Sequence, residues 1–124
     1  FQRLGRLAGK RLSRLAAMGH ELQAELRELL GDDGVLLFPS ARSTPPRQGR
    51  DLAALANFAF TGLFNVLEMP VTQVPLGLGS RGLPLGVQVA GAHGNDHLTI
   101  AVATQLERLF GGWTPPPLFG SHSS

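Results

Sequence analysis

The stretch from Met69 to Gly91, MPVTQVPLGLGSRGLPLGVQVAG, constrains the fold more than any other part of the chain, because its glycines admit two incompatible arrangements. Gly77, Gly79 and Gly82 complete a G-x-G-x-x-G, the spacing that cradles a dinucleotide pyrophosphate when a strand precedes it and a helix follows. No helix follows here. After Gly82, the residues Leu83, Leu85, Val87 and Val89 alternate with the others at period two, which is the signature of a strand. Without a helix N-terminus behind them, the glycines lack the N–H donors and the dipole that hold phosphate. The stretch therefore reads as a β-hairpin whose turn is Gly79, Ser80, Arg81 and Gly82, where glycine supplies the positive φ that tight turns demand.

The remaining elements fall on either side of this hairpin. Leu22, Leu26, Leu29 and Leu30 have helical spacing, with Glu21, Glu25 and Glu28 on other faces. One unbroken helix from the N-terminus would carry its basic residues first and its acidic residues last, against the macrodipole, so a bend near Gly19 is expected. Gly31 to Gly34 form a turn, and Val35 to Phe38 are a continuous apolar run, the pattern of a strand buried on both faces inside a parallel or mixed sheet. Ala41 to Arg50 read as a surface loop. Asp51 is the expected cap of a helix whose Leu52, Leu55, Phe58, Phe60, Leu63, Phe64, Val66 and Leu67 point in nearly every direction, as in a helix buried all round. Asn95 or Asp96 caps a last helix with the stripe Leu98, Val102, Leu106 and Leu109, stopped by Gly111 and Gly112. The tail from Thr114 to Ser124 has the composition of a disordered segment. The order is helix, strand, helix, strand, strand, helix, which predicts an α/β fold with a mixed sheet.

At 124 residues the chain has room for one modest domain with a core of its own. It has no cysteine, which excludes disulfides and thiolate chemistry and suits an intracellular setting. The pI near 10.4 rests on a net charge of only +2 and does not argue for nucleic acid. The basic residues Arg3, Arg6, Lys10, Arg11 and Arg14 crowd the start, and no acidic residue precedes Glu21. Such a start suits a targeting segment or a membrane-surface helix, but the simpler reading is a solvated helix face. No window approaches the roughly 20 apolar residues of a membrane span.

Chemistry is sparse. Ser40, Asp96 and His97 supply the residue types of a catalytic triad, but Ser40 follows Pro39 and lacks the G-x-S-x-G elbow that exposes a nucleophile. Asp96 has a sufficient role at a helix start. His20, His93, His97 and His122 lack metal-site spacing, and no metal or cofactor is expected. Phe58, Phe60, Phe64 and Met69 suit either an apolar ligand pocket or plain core packing, and spacing favours the core.

The segment FNVLEMPVTQVPLGLGSRGLPLGVQVAGAHGNDHLTIAVATQLERLFGGW, together with GDDGVLLFPS at 31–40 and NFAFTG at 57–62, resembles the C-terminal portion of the amidase-signature hydrolases. The resemblance runs from about Glu21 to Trp113. The start as far as Ala17 has no visible counterpart, and the loop from Ala41 to Ala54 matches poorly. What it implies is part of an α/β/α domain with a mixed sheet, in a serine hydrolase that cleaves fatty-acid amides through two serines and a lysine. None of that machinery has a matching position: Lys10 is the only lysine, and no Gly-rich Ser-Ser stretch follows it. No catalytic residue is expected in this chain, and it is expected to be inactive alone. The resemblance does place the helix of Phe58 to Leu67 beside the acyl channel, making Phe60, Thr61 and Phe64 candidate substrate contacts. It divides the chain into a basic segment (1–20), the C-terminal portion of an amidase domain (21–113) and a tail (114–124). The expected partners are the remainder of that domain and, in the intact parent, the fatty-acid amide; membrane attachment would depend on residues upstream. The alternative is a non-catalytic interaction or membrane-docking protein derived from the same fold.

Overall fold

The computed structural model describes residues 2–42, 44 and 52–115, with side chains from residue 13 onward except at 52–57. The elements are α1 (Gln2–Leu30), β1 (Val35–Pro39), α2 (Leu52–Val66), β2 (Val71–Leu78), β3 (Pro84–Gly91) and α3 (Asp96–Phe110). The three strands form one sheet in the order β1-β3-β2, with both pairings antiparallel. The mixed sheet predicted from the sequence is thus corrected within this chain. Local apolar content marks a strand as buried, but it carries no information about which way a partner strand runs.

Parity along the strands assigns the two faces. Leu36, Phe38, Val71 and Ala90 pack with Leu26 of α1 and with Leu63, Phe64, Leu67 and Met69 on and after α2. Val35, Val74, Leu76, Val87 and Val89 pack with Val102, Ala103 and Leu106 of α3. The chain is therefore layered, with α1 and α2 on one face of the sheet and α3 on the other. The period-two set Val87 and Val89 faces α3, while Gln88 and Ala90, on the opposite phase, are buried on the α2 side.

The hairpin turn is where the glycines place it. Gly82 N–H donates to Gly79 O at 2.9 Å, Gly79 N–H donates to Leu83 O at 2.8 Å, and Gly82 has φ +68°. Four other expectations are corrected. First, α1 runs unbroken through Gly19. The Cβ position of Gly19 lies 3.9 Å from Val66 Cγ1, and Gln23 Nε2 donates to Leu67 O at 2.7 Å. The macrodipole disfavours this order of charges by only a few tenths of a kcal/mol per charge, too little to break the helix. Second, β1 is an edge strand, with Leu37 half exposed. Third, α2 is not buried all round: Phe64, and Leu67 just beyond the helix, are sealed, while Phe58 and Val66 are about three-quarters exposed.

Fourth, the buried line of α3 runs through Thr99 and Ala103, and Leu109 is exposed. The leucine stripe is offset because the helix approaches the sheet on its small residues. A Cβ on Gly91 would sit 2.9 Å from Thr99 Cγ2, and Thr99 Oγ1 bonds Thr72 Oγ1 at 2.9 Å. Asn95 is the N-cap residue of α3, but its side chain makes no capping bond; it donates to Asp32 O at 2.8 Å and ties the helix start to the α1–β1 turn. The helix ends at Gly111 in the left-handed region. Asp51 and most of the tail lie outside the described residues.

Candidate functional site

The end of β1 brings three aromatic rings together. Phe38 stacks at a tilt on Phe60 (5.6 Å between centroids) and edge-on against Phe64 (5.3 Å, 87°). Of the three candidate substrate contacts, Phe64 is 1% exposed and belongs to the core, Phe60 is half-buried, and Thr61 is exposed. Thr61 Oγ1 donates to Phe58 O at 3.3 Å, a bond within its own helix that keeps the hydroxyl close to the backbone. Phe60 thus stands at the margin between α2 and the end of β1, Thr61 on the open side of the helix, and Phe64 in the core. Met69 lies elsewhere, in a recess of about 260 Å³ shared with Gln23, Arg27, Glu68 and His93.

Beside Phe60 sits a polar group that spacing did not single out. Gln88 is 5% exposed, and its Nε2 donates to Pro39 O and to Phe60 O, both at 3.2 Å. One amide therefore ties the end of β1 to α2. Directly opposite in register, Gln73 accepts a hydrogen bond from Ser40 Oγ at 2.6 Å. The side chain of Gln73 lies across Gly86, where a Cβ would collide with its Nε2 and approach Val74 O to 3.1 Å. Ser40, Gln73, Pro75, Gly86 and Trp113 then line a groove of about 610 Å³ towards the hairpin turn. The period-two reading puts Gln88 on the phase opposite Val87 and Val89; the structure covers that phase with α2, so the buried amide must find partners there.

The residues of the paper triad are not brought together. Val35 pairs with Gly91, close to the start of α3, whereas Ser40 lies five residues on, just past the far end of β1, roughly 16 Å at strand rise. The hydroxyl of Ser40 donates to an amide carbonyl, which is no base. His93 Nδ1 lies 3.2 Å from Glu68 O. Among the described residues no group of three His, Cys, Asp or Glu side chains is placed to hold a metal ion. None of the described helices is long and apolar enough to cross a membrane.

Comparison with known proteins gives this arrangement a context. The family model for Amidase matches residues 4–100, a range that takes in most of the basic start. Fatty-acid amide hydrolase 2 of Homo sapiens is 47% identical over 114 residues, covering 92% of this chain and 21% of that protein. Fatty-acid amide hydrolase 2-B of Danio rerio is 51% identical over 96 residues, covering 77% of this chain and 18% of that protein. The 6-aminohexanoate-cyclic-dimer hydrolase of Paenarthrobacter ureafaciens is 37% identical over 75 residues, 60% of this chain and 15% of that protein. The chain thus spans about a fifth of the length of the curated relatives it matches. A layered α/β unit with a Gly-Leu-Pro hairpin and a Gln88 strut, matched over most of its length, belongs to the amidase family.

Proposed function

We propose that this chain is the C-terminal portion of a serine amidohydrolase acting on fatty-acid amides, and that it contributes one wall of the acyl channel and no catalytic group. Phe60 and Thr61 face the acyl chain, Phe64 stays in the core, and the remainder of the amidase domain supplies the nucleophile and lysine. The observation that carries this reading is the position of Phe60: half-buried, its ring packed on Phe38, and its carbonyl held by Gln88. A ring held in this way offers a rigid apolar surface at low entropic cost. The uncovered Phe58 and Val66 on the same helix fit a face that other parts of a larger domain would cover.

The test is reconstitution. The chain alone should not react with a fluorophosphonate probe, and co-expression with the upstream part of a homologous amidase should give a complex that is labelled and hydrolyses a long-chain fatty-acid amide. Thr61→Trp in that complex should lower activity on long acyl chains more than on short ones, since each displaced methylene is worth about 0.8 kcal/mol. Labelling of the isolated chain at Ser40 would overturn the reading.

A further inference from the structure

The groove beside Gln73 holds a polar contact that neither the sheet nor the acyl wall uses. Arg42 and Thr44, on the loop after β1, line it, and none of its lining residues is acidic. From the hairpin turn, Arg81 Nη2 donates to Thr44 Oγ1 at 2.6 Å, across 37 residues of sequence. Thr44 is half-buried and Arg81 exposed. A guanidinium is a permanently charged planar fork of five donors, so one neutral hydroxyl uses little of what Arg81 can offer. The same hydroxyl is followed in sequence by Pro45, Pro46 and Arg47. Proline has no N–H, so a kinase cleft with no acceptor just past the hydroxyl selects Thr-Pro, and an arginine two residues beyond that proline can pair with an acid of the kinase. Thr44 and Thr114 are the two hydroxyl-bearing residues that precede a proline, but Pro117 stands after Thr114 where Arg47 stands after Thr44. The loop around Thr44 is also the part that matches the amidase pattern poorly.

We propose that Thr44 is a phosphorylation site for a proline-directed serine/threonine kinase, and that Arg81 receives the phosphate. The γ-phosphoryl group of ATP passes to Oγ1. The bond from the γ-phosphorus to the β–γ bridging oxygen breaks, the Oγ1–P bond forms, ADP leaves, and the hydroxyl proton goes to the carboxylate base of the kinase and on to water. The product carries close to two negative charges and three strong acceptor oxygens. Those oxygens stand one bond beyond an atom that the Arg81 fork already touches, so a neutral contact becomes a charge-assisted, bidentate one. Arg42 lines the same groove and adds positive charge there, with no carboxylate in the lining to oppose it. The phosphate then ties the loop after β1 to the β2–β3 turn, a link that rests on one neutral hydroxyl without it.

The experiment incubates the full chain with a proline-directed kinase and magnesium ATP and maps the phosphate by fragment mass spectrometry. Thr44 should carry it, and Thr44→Val and Pro45→Ala should each abolish labelling at that position. Phosphorus NMR titration of the phosphorylated chain then tests the receiver. An opposite charge beside the phosphate favours its doubly ionised form, so the second ionisation, ordinarily near pH ~6, should fall about 0.5 lower with Arg81 than in phosphorylated Arg81→Gln. High salt should shrink that difference, because the pair is at the surface. Neither readout involves amide hydrolysis, so the amidase reading stands or falls separately. No phosphate at Thr44, labelling at Thr114 without Thr44, or a phosphothreonine that titrates identically with and without Arg81 would each overturn the proposal.

Discussion

Gln88 offers the sharpest test of how this site is held. Replacing it by methionine keeps the length and nearly the volume of the side chain and removes both donors. The carbonyls of Pro39 and Phe60 then face a thioether in a place that is 5% exposed. A neutral hydrogen bond contributes about 0.5–1.5 kcal/mol net, and a buried acceptor left unpaired costs about 1–3 kcal/mol. Both bonds are long at 3.2 Å, and each carbonyl has a second lone pair, so the total should fall near 2 kcal/mol. Gln73→Met is the matched control, because Gln73 stands directly opposite in register but is exposed and makes its side-chain bond to Ser40 at the surface. That change should stay within about 0.5 kcal/mol. Urea titrations followed by far-ultraviolet circular dichroism would place the Gln88→Met midpoint about 1 M lower at a typical m-value, with m unchanged. Equal midpoints for the two variants would refute the claim that Gln88 is the strut between β1 and α2.

Glu68 closes α2 in the left-handed region at φ 50°, with Met69 N–H donating to Phe64 O at 3.0 Å, a position that usually belongs to glycine. Glu68→Gly should therefore stabilise the chain by about 1 kcal/mol in thermal melts, whereas Glu68→Ala should give no such gain. Phe64→Ala should cost about 3–5 kcal/mol and Phe58→Ala almost nothing, although both are phenylalanines on one helix, because only Phe64 is sealed. Gly86→Ala should cost about 1–3 kcal/mol and release Gln73 from Ser40; a side-chain amide resonance of Gln73 that does not shift would count against this.

The parts of this fold legible in the sequence are those governed by local chemistry. The Gly79–Gly82 turn follows from glycine's access to positive φ, and the strands beside it follow from alternation at Leu83 to Val89. The stop at Gly111 follows from the same backbone freedom. What the sequence did not disclose depends on neighbours distant along the chain. The run Val35 to Phe38 has the composition of an interior strand and lies at an edge, because composition does not reveal which strands hydrogen-bond to it. Thr99 lies outside the leucine stripe of α3 and is buried because Gly91, on another element, lets it approach. For the candidate site, Phe60 and Thr61 came from family resemblance. Gln88 was not readable from parity, which puts it opposite Leu85, Val87 and Val89; it is buried because helices cover both faces of the sheet.

The strand order β1-β3-β2 also sets a timetable for folding. Joining β2 to β3 closes a loop of about five residues, whereas joining β1 to the other side of β3 closes one of nearly fifty, with α2 inside it. On the logarithmic scaling of closure entropy the second step costs about 2 kcal/mol more. The hairpin and the helix packed on it form a local unit that can assemble first, and β1 then adds to an edge already in place. Substitutions at the β2–β3 turn should slow folding, and substitutions in β1 should chiefly speed unfolding. The central strand would be an edge strand for part of its own folding, exposing Val35's future partner Gly91 and its neighbours to any other chain in the extended state.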